Sequence, residues 1–167
     1  GRDNTQDGAL SSGDPIFNGD LGATTFAGLA VSVAGLVAIT PASGYVDPFG
    51  ALIIGLIAGL VCYWGAVVLK PKLGYDDSLD VVGIHGAGGL TGGLLLGLFA
   101  DASAIPGGDF SDGLFFGGGM ELLFDQIVAM FSVIVLSFVV TWVLAKGLDM
   151  TIGLRVDDET ERVGLDQ

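Results

Sequence analysis

Four long apolar stretches constrain this chain more than any other feature: Leu21 to Thr40, Phe49 to Leu69, Leu79 to Ala100 and about Leu122 to Ala145. A helix rises 1.5 Å per residue, so about 20 residues cross the roughly 30 Å of bilayer hydrocarbon. Backbone N–H and C=O groups find no water there, and a helix satisfies them internally. The chain reads as an all-α membrane protein with spans at about 21–40, 49–69, 79–100 and 122–145, inside a membrane domain of 21–147. Composition agrees, with 51% hydrophobic and only 15% charged residues, against roughly 25% charged in ordinary soluble domains.

Residues 1–20, "GRDNTQDGALSSGDPIFNGD", are polar and do not resemble a cleavable signal. They read as a cytoplasmic loop or a truncated start, and the opening on Gly1 rather than Met suggests a beginning inside a longer protein. The connection "TPASGYVDPFG" carries prolines and glycines that turn the chain between spans one and two. "KPKLGYDDS" and the long acidic "DASAIPGGDFSDGLFFGGG" connect the later spans.

Orientation follows from six basic residues. With four spans, Arg2, Lys70, Lys72, Lys146, Arg155 and Arg162 all fall on one side. The positive-inside rule makes that side cytoplasmic, with both termini inside and residues 148–167 a cytoplasmic tail. A net charge of −13 argues against nucleic acid as a partner. Sixteen of the nineteen acids are Asp and crowd the loops, which fits either simple solvation or a high-salt setting. Tyr63, Trp64 and Trp142 sit where interfacial anchors are expected.

Glycine weakens a helix in water, yet the third span holds Gly89, Gly93 and Gly97 at every fourth residue, with Gly88 and Gly92 beside them. Ala30, Ala34 and Ala38 repeat that spacing in the first span, and Gly55 and Gly59 in the second. Such faces let helix backbones approach closely in lipid. The same span carries the chain's one histidine, His85, about 9 Å from the span's start at 1.5 Å per residue. An ionisable group inside a membrane helix faces a cavity or a partner. His85 is therefore either a pore-facing group, able as neutral imidazole to accept one hydrogen bond and donate another, or a structural residue bonded to a neighbouring helix. Val81, four residues earlier, shares its face.

Asp76, Asp77, Ser78 and Asp80 precede this helix and suit capping of its free N–H groups, with cation recruitment as the other reading. Glu121 and Asp125 stand in the same relation to span four. Pro41 ends span one, where Thr40 can satisfy a freed carbonyl. Cys62 is the lone cysteine, so no disulfide or Cys-based metal site forms within the chain, and no metal or cofactor is expected. G-x-S-x-G, Walker A and Rossmann patterns are absent, and the chain does not read as an enzyme.

Three stretches, "GLVAITPASGYVDPFGALIIGLIAGLVCYWG", "DDSLDVVGIHGAGGLTGGLLLGLFA" and "TIGLRVDDETERVGLD", resemble in this order the C-terminal part of the ammonium transporter family (Amt/Mep/Rh), closest to the Amt branch. The resemblance covers roughly Ala27 to Asp166. It implies that the four spans correspond to the last four of an eleven-helix fold, in a homotrimer of the cell membrane with one pore per subunit. His85 then corresponds to the second of two pore histidines, the first lying in the N-terminal half of the family's protein. Val81 corresponds to a pore-lining apolar position. Asp80 corresponds to the acid supporting the histidine helix, and Thr40 to a threonine near the outer pore. Arg155, Glu161, Gly164, Leu165 and Asp166 match the regulatory tail.

The implied activity is ammonium transport. Ammonium is deprotonated at the outer mouth, and ammonia passes the histidines. A P-II-type cytosolic regulator is a possible partner. The alternative is a non-transporting membrane sensor or regulatory subunit, with the tail as a docking element for a P-II-like protein.

Overall fold

The computed structural model describes residues 32–77 and 79–164. Residues 1–31, Ser78 and 165–167 lie outside the described residues. With them go the polar opening, the first part of span one, Ala30, the capping candidate Ser78, and the tail positions Leu165 and Asp166.

All regular structure among the described residues is helical. Helix α1 is seen over 32–39, α2 runs Pro48–Leu73, α3 Val82–Phe99, α4 Glu121–Thr151 and α5 Asp158–Val163. Three of them, α2, α3 and α4, are long and apolar enough to cross a membrane.

Local chemistry sets the boundaries. Asp47 caps α2, its carboxylate accepting from the Gly50 N–H at 2.6 Å, and Pro48 occupies a first-turn position where no N–H is needed. The start of α3 falls at Val82 rather than Leu79. Asp80 stands at φ 54, a left-handed conformation that interrupts the helical path. Asp77 supplies the cap instead, accepting from the N–H groups of Val81 and Val82 at 2.9 Å each. α4 continues past Ala145 to Thr151 and ends where Gly153, at φ 79, bonds back to the Leu148 carbonyl at 3.1 Å.

The chain divides into two compact units, one through Ile127 and one from Val128. In the first, α1, α2 and α3 pack through small residues. Ala34, Ala38, Ala42, Ala58 and Ile54 are fully buried. Gly92 lies against the Ala38 carbonyl, where a methyl group would overlap the oxygen. A methyl on Gly97 would come within 2.7 Å of the Leu123 Cα. Gly88 and Gly92, rather than Gly89, make the close contacts with neighbouring helices; a methyl on Gly89 would meet nothing within 4 Å.

The connection after α3 is tied down at that helix's far end. The Asp101 N–H donates to the Tyr45 carbonyl at 2.9 Å, and the Asp101 carboxylate accepts from Ser103. Asp112 accepts from the Ala102 N–H at 2.8 Å. Tyr45 and Phe110 meet edge to face with centroids 4.9 Å apart.

In the second unit, the part of α4 from Val128 has no buried residue. After α4, Asp157 caps α5, accepting from the Thr160 N–H at 2.8 Å and from its hydroxyl at 3.1 Å.

Candidate functional site

α2 and α3 run side by side, and each departs from α-helical geometry at the place where they meet. Gly65–Leu69 and Val82–Gly86 are π-helical turns. In the first, the Lys70 N–H reaches the Gly65 carbonyl, five residues back. In the second, the Ala87 N–H reaches the Val82 carbonyl. Such wide turns are rare and recur at functional positions.

Two glycines allow the turns to touch. A methyl on Gly83 would stand 2.8 Å from the Ala66 nitrogen and 3.1 Å from the Gly65 carbonyl carbon. With this one, three contacts run in antiparallel order along the pair. The Cys62 thiol donates to the Ile84 carbonyl at 3.5 Å, Gly65 faces Gly83, and the Lys70 ammonium meets the Asp80 carboxylate at 2.7 Å. Asp80 is 7% exposed, so its charge is largely withdrawn from water and answered by Lys70. Tyr75 adds a buried hydroxyl with no hydrogen-bond partner among the described residues.

His85 lies within the second π turn and is exposed, as is Val81 at 47%. Gly83 and Ile84, between them in sequence, are buried toward α2. Imidazole and Val81 thus share the face of α3 turned away from the packed helices. Of the other positions singled out from the sequence, Thr40 donates its hydroxyl to the Leu36 carbonyl at 2.8 Å, at the end of α1. Asp80 does not cap α3 with its carboxylate; its backbone carbonyl accepts the Ile84 N–H at 2.8 Å while its side chain holds Lys70. Arg155 precedes α5, Glu161 lies within it and Gly164 follows it at φ 110. A separate hollow of about 350 Å³ opens near Tyr45, Phe110, Leu122 and Gln126, at the opposite end of α3 from His85.

The residues that sequence reasoning missed are Cys62, Gly65, Gly83 and Lys70. In the sequence Lys70 stands out only as a basic residue that marks topology. A signal was present in the spacing of small residues, because Gly83 to Gly88 is a five-residue step followed by the four-residue step to Gly92. A step of five does not belong to an α-helical face.

The hydrogen-bonded carboxyl of Asp157 is held below the usual carboxylate range by the Thr160 N–H and hydroxyl. Both bonds favour its charged form.

Comparison with known proteins adds an independent line. A family model described as the Ammonium Transporter Family matches residues 22–167. An ammonium transporter of Bacillus subtilis is 48% identical over 143 residues, covering 86% of this chain and 35% of that protein. Ammonium transporter Amt1 of Archaeoglobus fulgidus is 46% identical over 135 residues, covering 81% and 33%. Among solved structures, Candida albicans Mep2 superposes with a TM-score of 0.71 at 33% identity, over 78% of this chain and 29% of that one. The chain spans about a third of the length of the curated relatives it matches.

Proposed function

This chain belongs to the Ammonium Transporter Family, and from that premise we propose that it is the C-terminal part of a protein that moves ammonium across the cell membrane. The observation that carries the reading is His85: one imidazole, exposed beside Val81 on an apolar helix, on the side away from α2. A bare cation is costly in an apolar pore, whereas neutral ammonia is not. Ammonium gives up its proton at the outer mouth to the paired neutral imidazoles, which relay it, and ammonia passes along the His85–Val81 face. A neutral imidazole accepts a hydrogen bond from ammonia through one ring nitrogen and donates through the other. A second histidine facing His85 comes from the remainder of the longer protein.

Asp80 and Thr40 support the pore helices from opposite ends, the first through Lys70 and the second through the Leu36 carbonyl. The full protein is a homotrimer with its C-terminus in the cytoplasm. The tail positions Arg155, Glu161, Gly164, Leu165 and Asp166 regulate it, with a P-II-type protein as their partner.

The test uses the full-length reading frame in a yeast strain unable to grow on low ammonium. Restored growth with measurable uptake is expected. A protein present at the membrane that gives neither would sink the transport reading and favour a sensor with a docking tail.

A further inference from the structure

The small-residue face of α3 indicates where His85 would point if the helix were α-helical throughout. Gly92 and Gly88 face the neighbouring helices. Continuing that face at 3.6 residues per turn brings it back near positions 85 and 81, so an unbroken α-helix would turn His85 into the packed interior. In the structure the buried positions are Gly83 and Ile84, and His85 and Val81 are exposed. The π turn makes the difference. One extra residue in a turn rotates everything before it by about 100° relative to a continuous α-helix.

An isolated wide turn has poor reason to persist, and α3 does not hold one alone. Its partner turn in α2 lies directly against it. That wide turn closes with the Lys70 N–H on the Gly65 carbonyl, and the Lys70 ammonium meets Asp80. Gly83 lies so close to Gly65 and Ala66 that neither turn can change width without moving the other. The carbonyl next to His85, that of Ile84, accepts the Cys62 thiol.

We propose that the facing π turns of α2 and α3, locked at Gly65–Gly83 and by Cys62 on the Ile84 carbonyl, set the direction of His85, with Cys62 and Gly83 as positioning residues. This rests on the reading of His85 as the pore group. It assigns the direction of the imidazole to residues at the contact between the two helices.

The test compares Cys62→Ala, Cys62→Ser and Gly83→Ala in the purified full-length protein. Diethyl pyrocarbonate modification of His85 is followed by mass spectrometry, alongside ammonium uptake at matched membrane abundance. Serine keeps a donor to the Ile84 carbonyl and should leave the modification rate at the wild-type value. Alanine at 62 removes a weak donor, and a change of about two- to fivefold is expected in modification and in maximal uptake. Gly83→Ala separates the turns, and a loss of uptake of about tenfold or more is expected. Unchanged reactivity at other side chains distinguishes reorientation of His85 from general unfolding.

If Gly83→Ala fails to fold, the two Cys62 variants decide. His85 modified at the same rate in Cys62→Ala as in wild type, including no modification in either, overturns the proposal. The two readings fail separately. A wild-type protein without uptake removes the transport role whatever the modification rates, whereas uptake that depends on His85 but ignores Cys62 and Gly83 removes only the positioning claim.

Discussion

Helices α2 and α4 are both long enough to span a bilayer, at 26 and 31 residues, and both are overwhelmingly apolar. They use that character differently. α2 passes through a wide turn, buries Ile54, Ala58 and Cys62, carries glycines at its contacts, and near its end pairs Lys70 with the Asp80 carboxylate. α4 is an uninterrupted α-helix with no buried residue. Hydrophobicity alone makes a helix fit for a membrane, as α4 shows. A site requires two backbones brought within contact distance at defined positions; α3 meets α2 in this way at Gly83, α1 at Gly92 and the start of α4 at Gly97, whereas α4 from Val128 buries no residue.

Substitutions should therefore separate the two regions, and the largest effect is expected where backbones touch. Gly92→Ala places a methyl on the Ala38 carbonyl. It should destabilise the full-length protein by about 3 kcal/mol, read as a drop in thermal stability in detergent. An unchanged melting temperature would dissolve the contrast. Next comes the ion pair. Lys70→Met leaves the Asp80 carboxylate buried without its partner, and should cost less than Gly92→Ala but more than any change on α4. Adding Asp80→Asn should recover part of the loss, because Asn removes the charge and tolerates the left-handed backbone at that position. A double variant less stable than Lys70→Met would show that the charge is not the issue.

On α4, Phe131→Leu should stay within about 0.5 kcal/mol of wild type. A large loss there would reveal a packing role that the exposed helix does not show. The smallest effect concerns the tail. Asp157 has a folded pKa below its unfolded value of 3.8. Its capping contribution is complete above the unfolded value and is lost as pH falls through the depressed one. Protection of the Thr160 amide, taken relative to its intrinsic exchange rate at the same pH, should hold at neutral pH and fall only in acid, and Asp157→Asn should flatten that dependence.

The membrane class and the three later apolar spans were legible because hydrophobic length is additive along the sequence and needs no partner. Thr40 was legible too, since a hydroxyl beside a helix-ending proline has few carbonyls to choose from, and it bonds to Leu36. The start of α3 was less so. The apolar run begins at Leu79, but a single left-handed residue, Asp80, delays the helix to Val82. Hydropathy carries no record of φ.

Cys62, Gly65, Gly83 and Lys70 were hidden for a related reason. Their roles depend on two wide turns meeting across a helix pair, and an α-helical period imposed on the sequence places His85 on the wrong face. The glycine spacing 83, 88, 92 held the clue, but a five-residue step has meaning only once its partner turn is seen opposite.

The central claim is that His85 faces the path that ammonium takes. The measurement that tests it most directly is initial ammonium uptake by the full-length protein with His85→Ala, against wild type at equal membrane abundance. A clear change in uptake rate is the predicted result. Uptake indistinguishable from wild type over the whole concentration range would contradict it, and His85 would revert to a residue that happens to sit exposed on an apolar helix.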